Sequence, residues 1–248
     1  MPRIPEIDFI NVILITTILY DNSAANLTTP LINNTAIWAK FKYYFWHMDF
    51  LLHWDYELFH WINYTMYSEL WADIMAVLRN RYVWVPLYVT IITWIITRYD
   101  VRSAYFLGIY LLLGVMITDM LSSQVFKKEI QRVRPCNEQN LELPVYTNAP
   151  CRYSYSFPSS HAANHFGIAT LLIGLFDKFK SLPWKVVLFV WAGIISFAQI
   201  YVGLHYPLDI IGGALLGILV MRLFLSLLTK IGPTDVFNAH HRRGLGTK

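Results

Sequence analysis

The chain has 248 residues, 56% of them hydrophobic and 15% charged, with a formal net charge of +4. Soluble domains carry about 25% charged residues, so too little polar sequence remains here to cover a soluble helical protein. The long apolar runs are continuous instead of alternating, which excludes a membrane β-barrel and predicts an all-α integral membrane protein.

Residues 1–47 open with Ile7–Tyr20, an apolar run short for a span, with only Arg3 as a basic flank and no clear cleavage site. Asp21–Trp46 follows with no persuasive period. The region reads either as a weakly structured extension ahead of a start at Met48 or as a further, sixth span. Met48–Asn80 mixes Trp54, Phe59, Trp61, Leu70 and Trp71 with Asp55, Glu57, Glu69 and Asp73. That mixture predicts one or two amphipathic helices at the membrane interface. Asn26, Asn33 and Asn63 each match the glycosylation pattern, a pattern short enough to arise by chance.

Five spans then follow: Tyr82–Thr97, Ala104–Phe126, His161–Phe176, Trp184–Gly203 and Leu208–Leu228. A span needs about 20 apolar residues. Tyr82–Thr97 is short, but Tyr82, Trp84, Trp94 and Tyr99 form aromatic girdles at its ends. His161–Phe176 is also short and begins polar, as expected of a helix whose first turn lines a site. Residues 48–230 thus form one membrane domain and 231–248 a cytoplasmic tail.

Polar clusters sit at the ends of these spans: Lys127-x6-Arg134-Pro135, Pro158-Ser159-Ser160-His161 and His205-x3-Asp209. If each run crosses once, all emerge on the same face. Lysine and arginine in short loops favour the cytoplasm. Arg98, Arg102, Lys178, Lys180 and Lys185 mark the opposite face as cytoplasmic, once the cations demanded by an anion site are discounted. The clusters therefore face outward, the periplasm or exterior, with a cytoplasmic site as the alternative. The basic residues divide between topology and this site, so no nucleic acid is implied. Cys136 and Cys151 both lie in the loop between the first and second clusters. An oxidising compartment permits a disulfide between them, worth roughly 3 kcal/mol for a loop of about 15 residues; two free thiols are the alternative. No Cys-x2-Cys or His-x3-His pair suggests a metal.

Two histidines, a carboxylate and two cations are the parts for phosphoryl transfer through a histidine. Lys127 and Arg134 can neutralise a phosphomonoester, Arg134 through a planar fork. Ser159 and Ser160 lie at a helix N-terminus, where unpaired N–H groups and the dipole favour an anion. Pro207 is comfortable in a first helical turn, from which Asp209 can reach back to His205. That contact fixes the tautomer and makes His205 a nucleophile, leaving His161 as the acid for the leaving group. Asp119 and His165 lie inside spans and read as structural polar groups, paired with each other or with Asn164.

The clusters resemble the signature of the type 2 phosphatidic acid phosphatases: Lys-x6-Arg-Pro, Pro-Ser-Gly-His and Ser-Arg-x5-His-x3-Asp. Lys127, Arg134, Pro135, Pro158, Ser159, His161, His205 and Asp209 match; Ser160 replaces the usual Gly, and Ala198-Gln199 the usual Ser-Arg. The resemblance spans roughly residues 50–228. It implies a hydrolase without metal or cofactor, a phosphohistidine on His205, and Gln199 at a phosphate-contacting position. Arg132 and Arg152 are the candidates for a substitute cation there. Lipid phosphates or diphosphates are the implied substrates, with undecaprenyl diphosphate first, then phosphatidylglycerophosphate or phosphatidic acid, then lipid A phosphates. No obligate protein partner is evident. A non-catalytic phospholipid-binding protein and a lipid phosphotransferase are the alternatives.

Overall fold

A computed structural model describes residues 42–43, 48–139, 141 and 143–231. The expectations for Ile7–Tyr20, for the patterns at Asn26 and Asn33 and for the tail after Ile231 lie outside the described residues. Those described residues contain helices and no strand.

Two helices come first, α1 (Asp49–His60) and α2 (Glu69–Leu78). The Ser68 hydroxyl caps α2 by accepting from the Trp71 N–H. Phe59, Ile62 and Ala72 from this region are buried against Ile200, Tyr201 and Tyr206. The Tyr201 hydroxyl donates to the Met66 carbonyl and accepts from the Ser68 N–H, at 2.8 and 3.0 Å. The segment is thus packed onto one end of the helix bundle through both apolar and polar contacts.

The remaining helices are α3 (Val85–Arg98), α4 (Val101–Met120), α5 (Ser160–Leu175), α6 (Leu182–Tyr201) and α7 (Pro207–Ile231). Each falls on one of the five apolar runs. Prolines at the first turns of α3 and α6 and the Asp100 carboxylate, which accepts from the Ser103 N–H, set the starts of three of them. Helix α4 continues through a wider π turn, Leu121–Phe126, into the short helical segment Lys127–Ile130. With that continuation, Val101–Ile130 is, among the described residues, one of three helices long and apolar enough to cross a membrane, together with Leu182–Tyr201 and Pro207–Lys230. The outward face of α7 carries Ile211, Leu215, Leu219, Leu223 and Leu227, four residues apart and all exposed. An apolar stripe of that length has no place in water and suits a lipid contact.

Helices α5 and α7 approach closely enough to bring their first turns into one site. A Cβ on Gly217 would lie 2.1 Å from the Ala163 carbonyl oxygen, and one on Gly213 2.4 Å from that of Ser159. Small residues at such a crossing allow backbone-to-backbone packing in a membrane. The Ser159 N–H donates to the Asp209 carbonyl at 2.9 Å, fastening the two helix starts together.

Candidate active site

Asp209 lies in the first turn of α7 and reaches back to His205, with 3.3 Å between its Oδ2 and His205 Nδ1. The same oxygen accepts from the Tyr206 N–H at 2.9 Å. Both side chains are buried. An acid partner at Nδ1 places the ring proton there and leaves the Nε2 lone pair available. Nε2 faces Arg134 Nη1 at 3.1 Å. Burial first, and then the positive charge of Arg134, hold His205 neutral, its pKa lowered to about 3, against the opposing pull of Asp209. The ring is therefore an uncharged imidazole whose free nitrogen points at a cation.

The stretch carrying Arg134 follows from one backbone reversal. Gln131 adopts a left-handed conformation, φ 58°, and ends the helical segment at Ile130. The chain then runs extended, so alternate side chains share a face: Arg132 and Arg134 turn inward and Val133 outward. Arg134 is held by the Ser154 carbonyl at 2.8 Å, the Ser154 hydroxyl at 3.0 Å and the Leu204 carbonyl at 3.1 Å. Burial pushes its pKa down to about 10; Asp209 opposes that shift, and the nearby charges of Arg152 and Arg79 add to it. Lys127 follows the π turn and is half-buried, close enough for its charge to act on His205.

Arg132 does something the sequence did not suggest. It is buried, and its guanidinium bridges two carboxylates, donating to Asp209 Oδ1 at 2.9 Å and to Asp55 Oδ2. Asp55 Oδ1 accepts from the Leu208 N–H at 2.7 Å, and the guanidinium lies over the Tyr206 ring, 4.0 Å from its centroid. Arg132 is thus committed to carboxylates behind His205, and the expectation that it replaces the missing phosphate cation is corrected. Asp55 was not singled out in the sequence, where it is one acid among several in an aromatic-rich helix.

The serines of the second cluster are also accounted for. The buried Ser159 hydroxyl caps α5, accepting from the Ala162 N–H at 3.4 Å. The Ser160 hydroxyl accepts from Ser122 at 3.0 Å, so the side chain that replaces the usual glycine is drawn towards α4. His161 lines a cavity of about 490 Å³ together with Arg79, Asn80, Pro150 and Arg152. One turn further, His165 Nδ1 bonds the His161 carbonyl at 2.8 Å, and its Nε2 lies 3.4 Å from the Tyr88 hydroxyl. Asp119 pairs with Asn164 at 3.0 Å. The expected partnership of Asp119 with Asn164 is present, and the alternative of Asp119 with His165 is not.

Gln199 is buried at the end of α6, and its Oε1 accepts from Arg79 Nε at 3.3 Å. Its backbone carbonyl accepts from the N–H groups of Leu204 and His205, at 3.0 and 3.2 Å. Arg79 went unnoticed in the sequence because it lies 120 positions away. Cys136 and Cys151 are bridged, and Asn137 Nδ2 holds the Arg152 carbonyl at 3.0 Å beside that bridge. Asn63 is fully buried, bonded to the Tyr146 carbonyl, the Tyr201 carbonyl and the Tyr146 N–H. Its amide therefore ties the loop to α6, and the glycosylation match at Asn63 is not a usable acceptor in the folded chain.

A family profile described as the PAP2 superfamily matches residues 107–233. A lipid A 4'-phosphatase from Bacteroides thetaiotaomicron is 30% identical over 173 residues, covering 68% of this chain and 75% of that protein. An undecaprenyl-diphosphatase from Sulfolobus acidocaldarius is 34% identical over 166 residues, covering 65% of this chain and 72% of that one. The fold resembles the crystal structure of a transmembrane PAP2-type phosphatidylglycerolphosphate phosphatase from Bacillus subtilis. There the TM-score is 0.56 at 18% identity, over 80% of this chain and 96% of that one.

Proposed function

The chain belongs to the PAP2 superfamily, and we propose that it removes phosphate from a lipid phosphate or diphosphate through a phosphohistidine on His205. The observation that carries this reading is the buried Asp209–His205 pair with Arg134 at its free nitrogen. In the first step His205 Nε2 forms a bond to phosphorus as the bond from phosphorus to the lipid oxygen breaks. Arg134 and Lys127 neutralise the phosphoryl oxygens, and Asp209 holds the imidazolium that forms. His161, protonated as the dianion arrives beside it, gives its proton to the leaving oxygen. Water then attacks the phosphohistidine, with His161 as base, and releases inorganic phosphate. Neither step needs a metal. Ser159 contributes by ordering the first turn of α5, whose N–H groups face the anion.

Residues 48–230 form the phosphatase domain in this reading, with α3 to α7 as five spans. The three long helices and the apolar outer face of α7 support a membrane-spanning bundle, to which this reading adds α3 and α5. Helices α3 and α5 are shorter and lie beside them. The site opens on the periplasmic or outer side, as the loop charges and the Cys136–Cys151 bridge suggest. Substituted-cysteine labelling in intact cells tests the orientation. A cysteine at Tyr146 is expected to react with a membrane-impermeant reagent and one at Lys180 to stay protected; the reverse pattern places the site in the cytoplasm.

Lipid A, undecaprenyl diphosphate and phosphatidylglycerophosphate are among the lipids that the relatives' names carry, and undecaprenyl diphosphate is our leading candidate. Purified protein in detergent is expected to release phosphate from at least one of undecaprenyl diphosphate, lipid A, phosphatidylglycerophosphate and phosphatidic acid. Release should persist in EDTA and be blocked by vanadate, which mimics five-coordinate phosphorus. Activity lost to EDTA and restored by a divalent metal would sink the mechanism. Loss of substrate phosphate without free phosphate would identify a transferase.

A further inference from the structure

We infer that Arg79 supplies the phosphate-binding guanidinium that this chain lacks at position 199, and that Gln199 is the positioning residue that holds it. The inference rests on the phosphatase reading above but concerns a residue outside all of its motifs.

Position 199 is adjacent to the nucleophile, since its carbonyl accepts from the His205 N–H at 3.2 Å. A neutral amide there removes one positive charge from the site. Arg79 returns it. Arg79 caps the C-terminus of α2, its N–H bonded to the Met75 carbonyl at 3.0 Å, and Ala72 in α2 is buried against the end of α6. From that anchor its Nε donates to Gln199 Oε1. An arginine can only donate, so the contact settles which end of the amide faces it and turns Gln199 Nε2 the other way.

Two features of this pair point to an oxyanion. Gln199 Nε2 is buried and has no hydrogen-bond partner among the described residues, although an unpaired buried donor is unfavourable. Arg79 makes its side-chain hydrogen bond through Nε, and its terminal nitrogens bond no acceptor among the described residues. The pair therefore presents an amide donor and the outer edge of a guanidinium fork, suited to two phosphate oxygens. Arg79 also lines the same cavity as His161. The Arg79 guanidinium is pushed below its usual range by burial first and by the charge of Arg152 second. Arg79 and Arg152 line one cavity, and two cations there suit a polyanion. Arg152, exposed on the same cavity, adds charge at its rim.

The test is a rescue. Arg79→Ala is expected to lower kcat/KM for phosphate release by about 10²-fold, the effect of removing one oxyanion donor, and to weaken binding of inorganic phosphate in isothermal titration. Gln199→Arg added to Arg79→Ala should restore most of both, because it returns the guanidinium from the helix α6 side into the space Arg79 vacates. Gln199→Arg alone should be impaired, since two guanidinium groups then compete for one buried place. Arg79→Gln, which keeps the bulk and polarity, covers the case in which the alanine variant does not fold. Wild-type activity and phosphate affinity in both Arg79 variants would overturn the inference and leave the hydrolase reading standing. So would a well-folded Arg79→Ala protein that loses activity and is not rescued by Gln199→Arg. A wild-type protein that hydrolyses no lipid but binds phosphate through Arg79 would keep the inference and remove the hydrolase.

Discussion

His205→Ala is expected to abolish turnover, lowering kcat by about 10⁴-fold or more, as when an activated nucleophile is removed and its binding groups remain. The side chain is almost wholly buried, and an alanine methyl there offers no nucleophile. Arg134 and Lys127 stay in position in the variant, and phosphate or vanadate should still bind. Rapid quench of wild type with labelled substrate should trap a protein-bound phosphate that is acid-labile and alkali-stable; the variant should trap none. A His205→Ala protein that keeps a tenth of wild-type activity would move the nucleophile elsewhere. The pH profile carries a second expectation. With its pKa lowered to about 3 by burial, His205 in the free enzyme stays neutral where an ordinary histidine would protonate. The acid limb of kcat/KM should therefore show no break near 6.5 from this group. The linkage has a definite sign: below 6.5 the unfolded chain takes up a proton that the folded chain refuses until about pH 3. His205 therefore lowers stability progressively as pH falls through that window.

Arg132→Ala is expected to be the most destabilising substitution near the site. Its guanidinium lies between two carboxylates that are both fully buried as side chains. Removing one partner of a buried ion pair costs about 3–5 kcal/mol, because an uncompensated charge is left behind; here two are left, facing each other. Arg132→Lys keeps the charge, but a single ammonium cannot reproduce a fork that reaches Asp55 and Asp209 at once, so an intermediate loss is expected. Thermal unfolding in detergent, compared between acid and neutral pH, identifies the cause. Burial already raises Asp55, with Arg132 the main opposing influence. Without Arg132 the rise is larger. A carboxyl whose folded pKa is raised loses stability as pH climbs from its unfolded value towards its folded one. The deficit of Arg132→Ala against wild type should thus be smallest at acid pH and widen towards neutrality. Asp55→Asn combined with Arg132→Ala should recover part of it. An unchanged melting temperature with weakened phosphate binding would instead make Arg132 a substrate ligand.

Arg132 and Arg79 also show where reading the chain in one dimension stops. Both are cations beside a span, and by composition neither differs from Lys178 or Arg98, which read as topology signals. What separates them is their acceptors. Arg132 meets Asp209 and Asp55, each 77 positions away, and Arg79 meets Gln199 across 120. Asp55 reaches Leu208 across 153. Ser160 is similar: the motif flags it as a replacement for glycine, but only the π turn in α4, which brings Ser122 alongside, says where its hydroxyl goes.

The sequence by itself determined the all-helical class, the places of α3 to α7, the convergence of three polar clusters and the His205–Asp209 contact. These depend on continuous hydropathy, on span parity and on a separation of four residues within one helix start, all of which are local properties of the chain. Tertiary structure decided how the site is charged and supported: that Arg132 stands behind Asp209 with Asp55, that Arg79 rests on Gln199, and that Asn63 is sealed inside the protein. Buried polar groups take their partners from whichever segment packing brings within hydrogen-bond distance. The close α5–α7 crossing and the docking of α1 and α2 onto the ends of α6 and α7 set that here, and no spacing along the chain encodes either.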